Sequence, residues 1–274
     1  MKNLPPLIAM FALGICLALP LPAEAHRSWI LPTSSVLAGE SPWTSFDAAS
    51  SNDIFHADHR GMPVENLRVM APDGSVTPVQ NATTGRLRTS FDVQLTQPGT
   101  WKVFVASSGL NARWEENGQR KSWPPRGVQA TPEAFAKEVP AKADKLNVSQ
   151  SSRRIETFVT RGKPSALTPT GSGLEMVPVT HPNDLVAGEP AVFRFLIDGQ
   201  PAAGAKIELV PGARRYRNDE AMIELTADKD GRVSVSWPAA GTYWLEASYE
   251  DDKAPAPATK RTGLYVATFE VLPD

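Results

Sequence analysis

Twenty-five prolines and nineteen glycines interrupt this 274-residue chain. Proline fixes φ and removes a backbone donor, and glycine opens tight turns, so punctuation this dense leaves little room for long helices. Between the breaks, large apolar residues alternate with small or polar ones. Trp43-Thr44-Ser45-Phe46-Asp47-Ala48, Arg86 to Leu95 and Trp101 to Val105 all follow that pattern. It is the signature of strands buried on one face. Pro72-Asp73-Gly74, Pro98-Gly99-Thr100, Asp198-Gly199-Gln200-Pro201 and Asp228 to Gly231 mark the turns. The chain is therefore expected to be all-β.

The layout occurs twice. Leu185-Val186-Ala187-Gly188-Glu189 echoes Val36-Leu37-Ala38-Gly39-Glu40, Lys229-Asp230-Gly231 echoes Pro72-Asp73-Gly74, and the stretch from Ala240 to Ser248 echoes Pro98 to Ala106. Three landmarks in one order predict two β-sandwich domains, immunoglobulin-like or transthyretin-like, at 26–165 and 174–274. The Pro-, Gly-, Ser- and Thr-rich stretch from Gly162 to Gly173 would link them. Trp101 and Trp244 fall at equivalent places in the two copies and should be buried. One short helix is expected in an insertion. Thr131 is its N-cap, Pro132 its first residue and Glu133 its first-turn acid, and it should run to about Ala143.

Residues 1–25 read as a signal peptide, with Lys2, an apolar run from Leu7 to Leu21, and an Ala23-Glu24-Ala25 cleavage signal. The expected address is the periplasm. The only cysteine, Cys16, lies inside that segment. A chain starting at His26 would have no disulfide-linked partner, thiolate metal site or cysteine nucleophile, and packing alone would hold it. The net charge of −2 offers no basic surplus for nucleic acid.

Cleavage after Ala25 would make His26 the first residue. Its free α-amine and imidazole could then chelate a transition metal through one small ring, which an internal histidine cannot do. The other histidines are His56, His59 and His181. His56, Asp58 and His59 share a polar loop and supply nitrogen and oxygen ligands suited to divalent nickel, cobalt, copper or zinc. Positions i and i+3 of a strand face opposite ways, so His56 and His59 could bind together only if the loop turns. His181 stands just before the second sandwich, where it would either hold a turn or reach across as a further ligand. Asp53 and Asp58 are candidates to orient an imidazole. Binding would need neutral imidazoles, so affinity should fall in acid.

The sequence carries no G-x-S-x-G, H-E-x-x-H, P-loop or dinucleotide fingerprint, so an enzyme is not expected. The exception is a copper oxidase with an N-terminal histidine brace, which would need a second histidine such as His59 or His181. A metal-free envelope scaffold of tandem sandwiches is the other alternative.

Four segments together resemble one bacterial family, domain of unknown function 4198. They are Ala25-His26-Arg27-Ser28-Trp29-Ile30-Leu31-Pro32, Ser51 to Phe55 leading to Asp58-His59, Leu174 to Leu185, and Trp237 to Ala247. Family members are described as periplasmic components of nickel or cobalt uptake. The resemblance implies an exported, β-rich, metal-associated protein that works with a membrane uptake system. It maps the family's histidine after the signal peptide onto His26, and its Asp-His pair onto Asp58-His59.

Overall fold

The computed structural model describes residues 26–125, 128 and 130–274, and the expected signal peptide lies outside them. In chain order the first strands are β1 (Arg27–Pro32), β2 (Val36–Leu37), β3 (Trp43–Ser51), β4 (Arg60–Gly61), β5 (Arg68–Met70), β6 (Val76–Pro78), β7 (Gln80–Thr84) and β8 (Thr89–Gln94). The long β9 (Gly99–Glu116), β10 (Gln119–Trp123), helix α1 (Pro132–Glu138) and the long β11 (Asp144–Arg161) follow. The remainder comprises β12 (Leu174–Pro178), β13 (Pro190–Ile197), β14 (Gln200–Pro201), β15 (Lys206–Pro211), β16 (Ile223–Thr226), β17 (Arg232–Ser236), β18 (Gly241–Asp251) and β19 (Lys260–Val271). The fold is all-β with one α-helix among the described residues, as expected.

The strands form three layers. A ten-stranded sheet runs β16-β15-β18-β19-β11-β9-β5-β6, with β10 on β9 and β2 on β11. A five-stranded sheet containing β1, β3, β4, β7 and β8 packs on one face, and the four-stranded sheet of β12, β13, β14 and β17 packs on the other. Two sandwiches therefore share their middle layer. The joint is the parallel pairing of β11 with β19 from Ser149↔Lys260 to Thr157↔Thr268.

Period-two alternation sends each central strand's side chains into both cores. On β18, Trp244 enters the core with β1 and β3, whereas Tyr243, Leu245 and Ala247 enter the other. On β19, Val266 points one way and Tyr265, Ala267 and Phe269 the other. Trp101 and Trp244 are 6% and 1% exposed, buried as expected. Both belong to the same core rather than one to each copy, because Trp244 lies on the face of the shared sheet turned toward β1 and β3.

Helix α1 begins as predicted, with the Thr131 hydroxyl accepting from the Ala134 N–H at 3.2 Å. It stops at Glu138 and does not reach Ala143. Pro140 is the cause, because its ring drives Val139 out of the helical region, to φ −97 and ψ 117.

Candidate metal site

Strand pairing explains how residues 33 apart in sequence meet. Near its C-terminal end, β3 pairs with β1 through Arg27↔Ser51 and Ser28↔Ser50, and with β4 through Ser50↔Arg60. Since Ala49 and Ser50 pair with both strands, β1 and β4 lie on opposite edges of β3. His26 immediately precedes Arg27, and His59 immediately precedes Arg60. Two strand spacings, roughly 9–10 Å, separate the flanking backbones, and the two side chains close that gap. Their rings stack with centroids 3.7 Å apart and planes 15° from parallel. Both residues are exposed.

The loop between β3 and β4 is closed at its base. The Asp58 carboxylate accepts from the Asn52 N–H at 2.8 Å, so Asp58 fixes the stem that carries His59. The Ser51 hydroxyl accepts from Trp29 Nε1 at 2.7 Å and donates to the Asp53 carbonyl. Phe55 takes a left-handed φ of +56, and the His56 N–H turns back to the Asp53 carbonyl. This turn leaves His56 exposed, apart from the His26–His59 stack. The opposed-face rule of a strand therefore does not govern this pair of histidines.

His181 sits elsewhere. Its Nδ1 accepts from the Asn183 N–H at 3.1 Å, and its Nε2 lies 3.0 Å from the Thr100 hydroxyl. Burial pushes its pKa down, favouring the neutral ring that these contacts need. Thr100 pairs with Thr160, seven residues along β11 from the Arg153 that bonds Ser28. Those seven residues span about 23 Å. Among the described residues, no three His, Cys, Asp or Glu side chains converge as a metal set.

Two residues supply three donors if His26 is the first residue: the α-amine, its imidazole and the His59 imidazole. Metal–nitrogen bonds of about 2.0–2.1 Å set two nitrogens on one ion no more than ~4 Å apart. The stacked rings, with centroids 3.7 Å apart, would have to rotate and draw apart for their nitrogens to converge edge-on on one ion, and both residues are exposed. In donor chemistry and in proximity, though not in the stacked orientation of the rings, the pair fits a transition metal.

A charged layer beneath His26 was invisible to sequence reading, because its members come from distant strands. The Arg27 guanidinium lies 5.1 Å from the Trp244 ring centroid and pairs with Glu220. The Trp244 indole N–H donates to the Ser28 carbonyl at 3.0 Å. The loop carrying Glu220 approaches the histidine loop closely at Gly212. A Cβ there would stand 2.2 Å from the Thr242 hydroxyl and 3.3 Å from the Phe55 ring. A larger residue at this position would have to displace the Thr242 side chain and press on Phe55.

Glu246 faces Glu208 directly across β18 and β15. Burial, and then the Glu208 charge, push its carboxyl up from an ordinary 4.5 to about 7, against the opposing pull of Arg153 and Arg27. The folded state therefore holds this proton more tightly than the unfolded chain does. The stability it contributes is full below pH ~4.5 and is lost as pH rises through about 7. At 1.36 kcal/mol per pKa step the change corresponds to roughly 3 kcal/mol, which partial solvent access reduces to about 1–2. Glu246→Gln should thus raise stability by about 1–2 kcal/mol at pH 8 and leave it nearly unchanged at pH 4. Urea unfolding at the two pH values measures the difference, and an equal effect at both would contradict the assignment.

The family model described as "Domain of unknown function (DUF4198)" matches residues 23–251. No curated protein matches the sequence. Among solved structures, the D0-D1 domain of intimin aligns over 88% of this chain and 97% of its own, at 9% identity and a TM-score of 0.21. The group B streptococcus pilus 2b backbone protein aligns over 83% and 84%, at 10% identity and a TM-score of 0.14.

Proposed function

Since the chain belongs to the DUF4198 family, a domain of unknown function, we propose a function from its own site: binding of a divalent transition metal by His26 and His59. The observation that carries this reading is the stacking of these two imidazoles from opposite edges of β3. His59 would complete a chelate begun by the α-amine and imidazole of a processed N-terminus. Asp58 holds the His59 loop and is not itself a ligand in this reading. Nickel or cobalt would be the cargo of a periplasmic uptake accessory, while copper or zinc would compete by the general affinity order. Protons compete for the same nitrogens, so acid should release the metal.

Metal titration of protein beginning at His26 tests the reading. His59→Ala should lower affinity for nickel and copper by about tenfold or more, within the range of a lost ligand or its support. His181→Ala should leave affinity unchanged. Equal binding by wild type and His59→Ala would overturn the proposal. The same donor set also favours a second reading, a copper brace that reacts with oxygen or peroxide. Reductant-dependent peroxide consumption by the copper-loaded protein, lost in His59→Ala, would distinguish it from carriage.

A further inference from the structure

The central sheet changes character halfway along one face. On β9, Trp101, Val103 and Val105 pack under the β1–β3 layer. The same face of the same strand continues as Ser107, Gly109 and Asn111. Ile155 on β11 gives way to Ser151, Val266 on β19 to Thr262, and Trp244 on β18 to Ser248. No strand of the five-stranded sheet covers this half among the described residues. It forms the floor of an open hollow of about 1390 Å³, with Pro124 and Ala130 on one side and Gly204 and Lys206 on the other. A second hollow of about 840 Å³ continues it past Asn111 and Ser151 to Ser149 and Lys260. The inner end lies at Arg153, whose guanidinium bonds Ser28 at 2.7 Å, two residues from His26.

The charges of this groove are not those of the whole protein. Its lining carries Arg113, Arg153, Lys206 and Lys260 against one carboxylate, Glu250, in a chain of net charge −2. Glu250 is already paired with Lys260. The Glu208–Glu246 pair lines neither hollow. Across the floor, β11 and β19 are hydrogen-bonded on both sides, as is β18 at Ser248. Their backbone groups are therefore occupied. On β9, Ser107 to Asn111 are paired among the described residues only with β11. A peptide could thus add as a strand along that one edge alone, a binding mode that the poly-glutamate control tests. What remains is a field of hydroxyls and an amide with spaced cations. The aromatic residues of the lining, Tyr249 and Trp123, pack into apolar clusters and so offer no open platform on which nucleic-acid bases could stack. Small polar side chains at these positions keep the face wetted, where larger apolar ones would have demanded a covering layer.

We propose that this groove binds an acidic polysaccharide, a chain rich in hydroxyls with carboxylates at intervals. The inference goes beyond metal binding and does not depend on it, so His59→Ala protein should bind the glycan as wild type does.

Calorimetric titration of the full mature protein with oligogalacturonate, a uronic acid oligomer, tests the assignment. Neutral galactan and poly-glutamate serve as controls. Oligogalacturonate should bind, and its affinity should fall about tenfold or more from low to high salt. Ser248→Trp should block the floor sterically, and the pair Arg113→Glu with Lys206→Glu should reverse the charge. Each is expected to lower affinity at least about tenfold with the thermal transition retained. The two variants act independently on different strands, so failure of one to fold leaves the other decisive. Equal binding of galactan would remove the role of charge. Equal binding of poly-glutamate would remove the glycan. Unaltered affinity in both folded variants would remove the groove.

Discussion

Adding a single glycine ahead of His26 is expected to weaken transition-metal binding by roughly 10²–10⁴-fold while leaving every side chain in place. The added residue turns the His26 nitrogen into an amide and moves the free amine away. Amine and imidazole on one residue act at high effective concentration toward each other's metal, and gains of that order come from such linkage. The structure sharpens the expectation, because among the described residues no third His, Asp or Glu side chain stands by to replace the lost donor. His181 is bonded through both ring nitrogens, and the Asp58 carboxylate is engaged with Asn52. Two preparations, one beginning at His26 and one at Gly-His26, should be titrated with nickel, cobalt, copper and zinc against a competing chelator. Equal affinities would mean that the chelate does not form and that histidine stands first only through the position of cleavage.

Trp244→Ala should destabilise the fold by about 3–5 kcal/mol, as large buried aromatics do when truncated. The indole fills the core beneath β1, donates to the Ser28 carbonyl and underlies the Arg27 guanidinium. Trp101→Ala should cost a similar amount, since Trp101 is nearly as buried in the same core and donates to the Gln97 carbonyl at 3.0 Å. The two should part in their effect on metal. Loss of Trp244 releases the start of β1 and so the position of His26. Loss of Trp101 removes no contact to Ser28 or Arg27. Chemical denaturation measures the first effect and metal titration the second. A cost below roughly 1 kcal/mol at both positions would place the core elsewhere.

Much of this protein was legible in one dimension because its signals are local. Alternation and turn residues specify strands through steric preferences that act within a few residues, so the β-rich character, the buried tryptophans and the start of α1 could all be read directly. The end of α1 was misjudged at Pro140, although the restriction that proline places on its preceding residue is local too. His26 could be singled out because the chemistry of an α-amine belongs to one residue.

Tertiary structure decided what depends on distant segments. The shared central sheet rests on β11 pairing in parallel with β19, more than 100 residues later, and no pattern within either strand names its partner. His59 could be suspected as a ligand, but its place on the far edge of β3 from His26 follows from pairing register. His181 lies far from both because its partner Thr100 pairs with Thr160, seven residues along β11 from the Arg153 that bonds Ser28. Glu246 carries an ordinary side chain, and only burial opposite Glu208 gives it a carboxyl that titrates near neutrality. Hydrogen bonds between strands and burial between layers act through space, so they are fixed only when the sheets assemble.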